Sequence, residues 1–327
     1  MTFYFVGGED HDFTKIGTCS VDTATTAARR TGNARCSLKV GPSAATTDGW
    51  QGALSSAQSA FWLTARYYIA ATPTTTNAEV CSLLDGSVRR LTLRISSGVY
   101  QLVKRNSVGT VTTLVTSSVA ISALTVQKLD IQVNYAVSGT VNIYLDGSLI
   151  ISYSGDVTTD SATTLSSFVL GNTGSAVHWS EGICTDGDTR ALNLVTMAPN
   201  ANGNTFSFDT GSYANINETT IDDTGLITSA TAGQLAQFTV GSSGITGTPA
   251  IRALCISARA QKGGTGPQNC KMSVRTGGVD QLSSLLSLPA AMNRTAYVFE
   301  TNPGTSGPWA YNDLTAAGFN IGIRSET

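Results

Sequence analysis

Three runs decide the fold: Leu129-Asp130-Ile131-Gln132-Val133-Asn134-Tyr135, Val141-Asn142-Ile143-Tyr144-Leu145-Asp146-Gly147 and Leu149-Ile150-Ile151-Ser152-Tyr153. Each is apolar at every second position, the period of a half-buried strand. Asp146-Gly147 supplies the tight turn between the last two, because both central residues of a type I′ turn need φ > 0. A Gly139-Thr140 corner joins the first two. Further on, Leu165 to Leu170 reads as a strand closed by Gly171-Asn172. His178-Trp179-Ser180-Glu181-Gly182-Ile183 reads as another, followed by Asp186-Gly187-Asp188-Thr189-Arg190.

The same pattern extends toward the N-terminus. Phe3 to Val6, Ile16 to Val21, Ala34 to Val40, Ala60 to Ile69, Val80 to Leu84, Arg90 to Ile95, Tyr100 to Arg105 and Val111 to Val115 are short strand candidates. Their turns carry Asp85-Gly86, Ser97-Gly98 and Val108-Gly109. Regularly spaced short strands with glycine turns predict an all-β sandwich. The aromatic run Phe61-Trp62-Leu63, with Tyr67-Tyr68, predicts a strand buried on both faces, with Trp62 in the core. No segment of helical period is long enough to predict a helix. After Arg190 the register changes. Strands are predicted over 191–197, 238–240, 251–260 and 272–275, a loop over 198–204, and renewed alternation from Tyr297 to Ile323.

The run Gly139 to Gly147 resembles the central hairpin of the concanavalin A-like (laminin G-like) jelly roll. Trp179 to Ile183, with Asp186 to Arg190, resembles the closing strand of that module in structural proteins of tailed bacteriophages. The order of segments after Arg190 resembles the module that follows it there. The resemblance implies a jelly-roll sandwich over residues 1–189 and a smaller β-sandwich over 190–327. It implies a non-enzymatic accessory structural protein that decorates or stabilises the head, neck, collar or tail of the particle. The alternative it implies is a lectin-like module that binds host surface glycan. Partners would be other virion proteins, with localisation in the virion after synthesis in the host cytoplasm.

Composition bears on this reading. Of 327 residues only 13% are charged, and the net charge is −2. Such a surface exerts no long-range pull on nucleic acid. No apolar run is long enough for a membrane helix. The first ten residues lack a basic n-region, so no secretory signal is expected there. Low-charge faces favour symmetric assembly, and a homo-oligomer is expected, a trimer first.

Candidate chemistry is sparse, and no catalytic residue is assigned. Laminarinase-type jelly rolls carry Glu-x-Asp-x-x-Glu on one strand, as a glycosidase needs two spaced carboxylates. Neither Glu181 with Asp186 nor Glu218 with Asp222 and Asp223 has that spacing. A nucleophilic triad needs a histidine base, and the two histidines, His11 and His178, read as structural. Gly263-Gly264-Thr265-Gly266-Pro267 is a hairpin loop, not a phosphate cradle. Arg29-Arg30 reads as a solvated hairpin tip, and Gly7 to Asp12 as an acidic, hydrated turn. Some modules of the resembled family bind calcium at a loop rim, which would make Asp186 and Asp188 its ligands here. The plainer reading is a turn capped by its own aspartates, so no resident metal or cofactor is expected. No cysteines fall in CxxC pairs, so zinc is not expected. Pairing 16–21 with 34–40 as one hairpin centred at Ala27/Ala28 sets Cys19 opposite Cys36, within disulfide reach. Two buried free thiols are the other reading.

Overall fold

A computed structural model describes residues 1–23, 34–42, 47–73, 77–172, 174–241, 245 and 247–327. The chain divides into two compact units, Met1–Leu194 and Val195–Thr327. The sequence reading put this boundary at 189/190. It lies further on because residues 190–194 are bonded to the first unit, as described below.

The first unit has strands β1 (Phe3–Gly7), β2 (Thr14–Ile16), β3 (Cys19–Asp22), β4 (Ser37–Val40), β5 (Gly49–Gln58), β6 (Ala60–Ile69), β7 (Ala78–Asp85), β8 (Val88–Ser96), β9 (Val99–Arg105), β10 (Val111–Ala120), β11 (Val126–Asn134), β12 (Gly139–Leu145), β13 (Ser148–Gly155), β14 (Leu165–Gly171) and β15 (Val177–Thr185). One sheet, here the front sheet, runs β13-β12-β11-β6-β15-β4-β3, with β1 added on β15. The back sheet runs β10-β9-β8-β7-β14-β5-β2. Consecutive strands such as β5 and β6 lie in different sheets, as in a jelly roll. The β12–β13 turn has Asp146 at φ 50 and Gly147 at φ 82, as the Asp-Gly pair predicts.

Alternation places the core between the sheets. Phe61, Leu63, Ala65, Tyr67 and Ile69 of β6 and Leu129, Ile131 and Val133 of β11 meet Leu91, Leu93 and Ile95 of β8 and Phe168 and Leu170 of β14. Polar groups that enter this core are paired, as buried polar groups must be. Tyr67 and Tyr100 share a hydroxyl hydrogen bond, and Tyr67 Oη also donates to Gln127 Oε1 at 3.1 Å. Burial pushes the Tyr100 hydroxyl up to about 12. Trp179 on β15, fully buried, donates from Nε1 to Gly171 O on β14 at 3.0 Å and so ties the two sheets.

Two segments depart from the expected pattern. The predicted strand 16–21 is split at Gly17, whose φ of +67 turns the chain from the back sheet (β2) to the front (β3). A Cβ at Gly17 would lie 1.9 Å from Asp48 Oδ1, and Asp48 Oδ2 accepts the Thr18 N–H at 3.1 Å. Strand β5 was not anticipated, because its small residues hide the alternation. Gly52 is small for a reason: a Cβ there would sit 2.3 Å from the Phe168 ring.

The Cys19–Cys36 pairing is corrected by the register of β3 on β4. Cys19 lies opposite Val40, Val21 opposite Leu38 and Asp22 opposite Ser37. Cys36 is therefore four positions from the residue opposite Cys19. At the rise of a strand that is about 13 Å, beyond the roughly 7 Å Cα separation a disulfide can bridge. Cys19 and Cys36 are separate buried thiols. The Arg29 to Asn33 tip lies outside the described residues.

In the second unit, β16 (Pro199–Phe206), β17 (Leu235–Val240), β19 (Asn269–Thr276), β20 (Val279–Leu282), β21 (Leu286–Ser287) and β23 (Asn320–Glu326) form one sheet, and β18 (Leu254–Ala260) pairs with β22 (Asn293–Phe299) as a ribbon. Leu254, Ile256, Met272, Val274, Phe299, Trp309, Leu314 and Phe319 fill the core of this unit. The expected strand over 191–197 is absent, and all but the first residue of the expected loop over 198–204 lies in β16. One helical turn, Tyr311–Thr315, carries Leu314 into the core.

The β3–β4 register is open to test. Peptide mapping without reduction, after alkylating the unfolded chain, is expected to find Cys19 and Cys36 alkylated. A peptide joined through Cys19 and Cys36 would overturn the register.

Candidate functional site

Since Phe61, Leu63, Ala65, Tyr67 and Ile69 point into the core, the residues between them point outward. Trp62, Thr64, Arg66 and Tyr68 therefore stand on the outer face of the front sheet. Trp62, expected in the core, is half-buried there. Its register neighbour on β11 is Gln132, followed by Asn142 on β12 and Ser152 on β13. Tyr144 lies diagonally across β11. Its ring stacks on Trp62 with centroids 5.8 Å apart and planes 19° from parallel, an offset geometry favoured by aromatic quadrupoles.

A cation and a row of amides complete the surface. The Arg190 guanidinium lies 4.6 Å from the Tyr144 ring centroid and 5.5 Å from that of Trp62, close enough for cation–π attraction. Asp188 grips Arg190 through Nη2 at 2.7 Å and Nε at 3.0 Å, and accepts its backbone N–H at 2.9 Å. Those hydrogen bonds hold the Asp188 carboxyl below its ordinary range. Beside the rings, Asn142 Nδ2 donates to Gln132 Oε1 at 3.0 Å and Ser152 Oγ donates to Asn142 Oδ1 at 2.8 Å. The face thus offers aromatic carbon, amides, hydroxyls and a positive charge within a few strands of one another.

Residues 186–194 form a strap across the same face, held by buried charge. Lys128 Nζ donates to three strap carbonyls, Thr189 at 2.9 Å, Arg190 at 2.8 Å and Leu192 at 2.7 Å. Asp130 Oδ1, fully buried, lies 3.8 Å from that ammonium and accepts the Thr189 hydroxyl at 2.9 Å. A second anchor uses Glu181, which sits at φ 58 where the register of β15 shifts. Its Oε2 accepts the Leu194 N–H at 3.2 Å, and its Oε1 lies 3.3 Å from Arg66 Nε. Arg66 Nη2 in turn donates to Asn193 Oδ1 at 2.8 Å. Glu181 is thus a strap anchor here. The strap carries Arg190 to the rings.

The remaining sequence candidates are dispersed. Asp186 Oδ1 accepts the Thr2 N–H at 2.7 Å, while Asp188 serves Arg190, so the two carboxylates suggested for calcium do not converge. No group of three or more His, Cys, Asp or Glu is placed to hold a metal among the described residues. The Gly7–Asp12 turn is not the hydrated one expected. Glu9, Asp10 and Asp12 are buried. Arg35 donates to Glu9 from Nε at 2.5 Å, and Asp12 Oδ2 accepts the Gly8 N–H at 2.9 Å. Burial, outweighing Arg35, raises the Glu9 carboxyl above its usual range. His178 is buried, with Nδ1 3.1 Å from Ser37 Oγ and 3.5 Å from Asp22 Oδ2. The sequence reading missed the Tyr144–Arg190 contact and the Lys128 anchor. Both join residues about fifty or more positions apart, and no local pattern marks such a pair.

No family model matches the chain, and no curated protein matches it. Among solved structures it is similar to an endo-β-1,4-glucuronan lyase from Trichoderma reesei, at 10% identity and TM-score 0.44 over 57% of this chain and 96% of that one. It is also similar to an alginate lyase from Aplysia kurodai, at 10% identity and TM-score 0.39 over 56% and 97%. A carbohydrate-binding module from Bacillus subtilis is similar at 15% identity and TM-score 0.33 over 52% and 92%. These likenesses concern the fold. The expectation that the chain is not an enzyme is withdrawn; two of these similar structures are polysaccharide lyases. The missing Glu-x-Asp-x-x-Glu pattern concerns one hydrolase arrangement only. Nothing in the comparisons supports the virion role.

The strap rests on Lys128. Its replacement leaves Asp130 buried without a counter-charge, a loss that costs about 3–5 kcal/mol. Lys128→Met is expected to lower unfolding free energy in urea by about 3 kcal/mol and to raise amide exchange within 186–194. A change under about 1 kcal/mol with unaltered exchange would show that the ammonium does not hold the strap.

Proposed function

We propose that the first unit binds a polysaccharide along the outer face of the front sheet. The observation that carries this reading is the placement of Trp62, stacked with Tyr144 on the outside of the sandwich. Aromatic side chains left half-exposed on a rigid sheet present a flat apolar surface without losing freedom on binding. A sugar ring needs such a surface for its C–H face. Its hydroxyls need mixed donors and acceptors, which Gln132, Asn142 and Ser152 provide. Because those amides already brace one another, their positions are set before a ligand arrives. Arg190 lies over part of both rings and brings donors that suit ring oxygens and hydroxyls to the same place. In the virion setting inferred from sequence, this would be the face turned toward host surface glycan.

Tryptophan fluorescence offers a direct test. Trp50, Trp179 and Trp309 are buried at 3%, 0% and 4% exposure, so Trp62 is the indole most open to a ligand. A glycan array should show retention of the full chain, and the glycans that bind should change Trp62 emission. Trp62→Ala and Tyr144→Ala should each weaken that binding about tenfold or more, equivalent to ~1.4 kcal/mol, with little change in melting temperature. Binding that survives both substitutions unchanged would place the site elsewhere. Absence of retention on any glycan would remove the reading.

A further inference from the structure

The outer face of the back sheet holds an unbalanced group of arginines. Glu79 on β7 pairs in register with Arg94 on β8, which pairs with Gln101 on β9, which pairs with Thr116 on β10. Glu79 is buried, and Ser82 Oγ donates to its Oε2 at 3.1 Å. Two guanidiniums converge on it: Arg89 Nε lies 2.9 Å from Oε2 and Arg105 Nη2 lies 3.0 Å from Oε1. Arg94 has a different partner. Its Nε and Nη2 both donate to the neutral Gln101 Oε1, at 2.8 and 2.6 Å, and no carboxylate lies within ion-pair distance among the described residues. Two of these three neighbouring cations share one carboxylate and the third rests on a neutral amide, an excess of two positive charges on a chain whose net charge is −2.

That excess is costly as it stands. Arg94 is half-buried, so it has lost part of its hydration. Arg105 reaches Glu79, the residue directly opposite Arg94 in register, so both guanidiniums occupy one stretch of the face, and burial together with the Arg105 charge lowers the proton affinity of Arg94. A half-desolvated guanidinium beside another is relieved by an anion that accepts from both. The donors are also prearranged. Glu79 fixes Arg89 and Arg105, while Gln101, itself donating to Thr116 Oγ1 at 2.9 Å, fixes Arg94. We propose that the outer face of the back sheet is an oxyanion-binding site, taking a carboxylate or sulfate group between Arg94 and Arg105. The planar fork of arginine matches either group in a paired geometry that lysine does not offer. The site is independent of glycan binding on the front sheet.

Nuclear magnetic resonance of arginine Nε–H groups in the full chain reads this directly. Sodium sulfate and sodium acetate are titrated separately, with ionic strength held constant by sodium chloride. The Arg94 and Arg105 signals should move saturably while that of Arg190 does not. The anion that saturates at lower concentration identifies the group. Arg94→Gln should weaken saturation at least tenfold. Arg94→Lys, which keeps the charge and disturbs the fold less, should weaken it several-fold. Shifts that grow with anion concentration without saturating, or equal affinity in Arg94→Lys and the parent chain, would overturn the site.

Discussion

Strand β6 can place only one of its two side-chain rows between the sheets, and most of the first unit follows from which row that is. With Phe61, Leu63, Ala65, Tyr67 and Ile69 inside, the neighbouring strands β11 and β15 are held in one register. A shift of one residue would exchange core and surface on all three strands. The outward row is then Trp62, Thr64, Arg66 and Tyr68, and the character of the front face is settled by the same constraint. The candidate site is therefore a by-product of core burial: the side chains that the core cannot accept are the ones displayed.

Display alone would leave charged groups scattered on a flat sheet. The strap organises them. Lys128 and Asp130 are both buried, and isolated buried charges are strongly unfavourable. Lys128 avoids that by giving its donors to three strap carbonyls, and Asp130 by accepting from Thr189. The Arg190 and Leu192 carbonyls in turn gain a donor in Lys128, and the Thr189 carbonyl accepts both the ammonium and the Leu192 N–H at 2.8 Å. Strap and sheet thus satisfy each other, and Arg190 is delivered to the rings of Trp62 and Tyr144 as a consequence. The back sheet uses the opposite arrangement. There one carboxylate, Glu79, gathers more positive charge than it neutralises.

Much of the architecture was legible along the chain. The alternation in 129–135 and 141–145, the Asp146-Gly147 turn and the strand at 60–69 appear in the structure where their period places them, because strand period is a local property. The losses are local failures of the same signal. In β5 small residues such as Gly52 are demanded by the Phe168 ring, so the apolar alternation is faint. At Gly17 a single left-handed residue divides one apparent strand between two sheets. No local pattern fixes the register of β3 on β4, in which Cys19 faces Val40.

Local pattern along the chain established that it is all-β and where most strands lie. It did so because period, turn chemistry and motif spacing are written in consecutive residues. It took the packed structure to settle that Trp62 faces out, that Tyr144 and Arg190 meet it, that Glu181 serves the strap and that Arg94 donates to Gln101. Those outcomes depend on which face of each strand the core claims and on which distant segments then compete for the same hydrogen bonds, and neither is encoded within any one stretch of the chain.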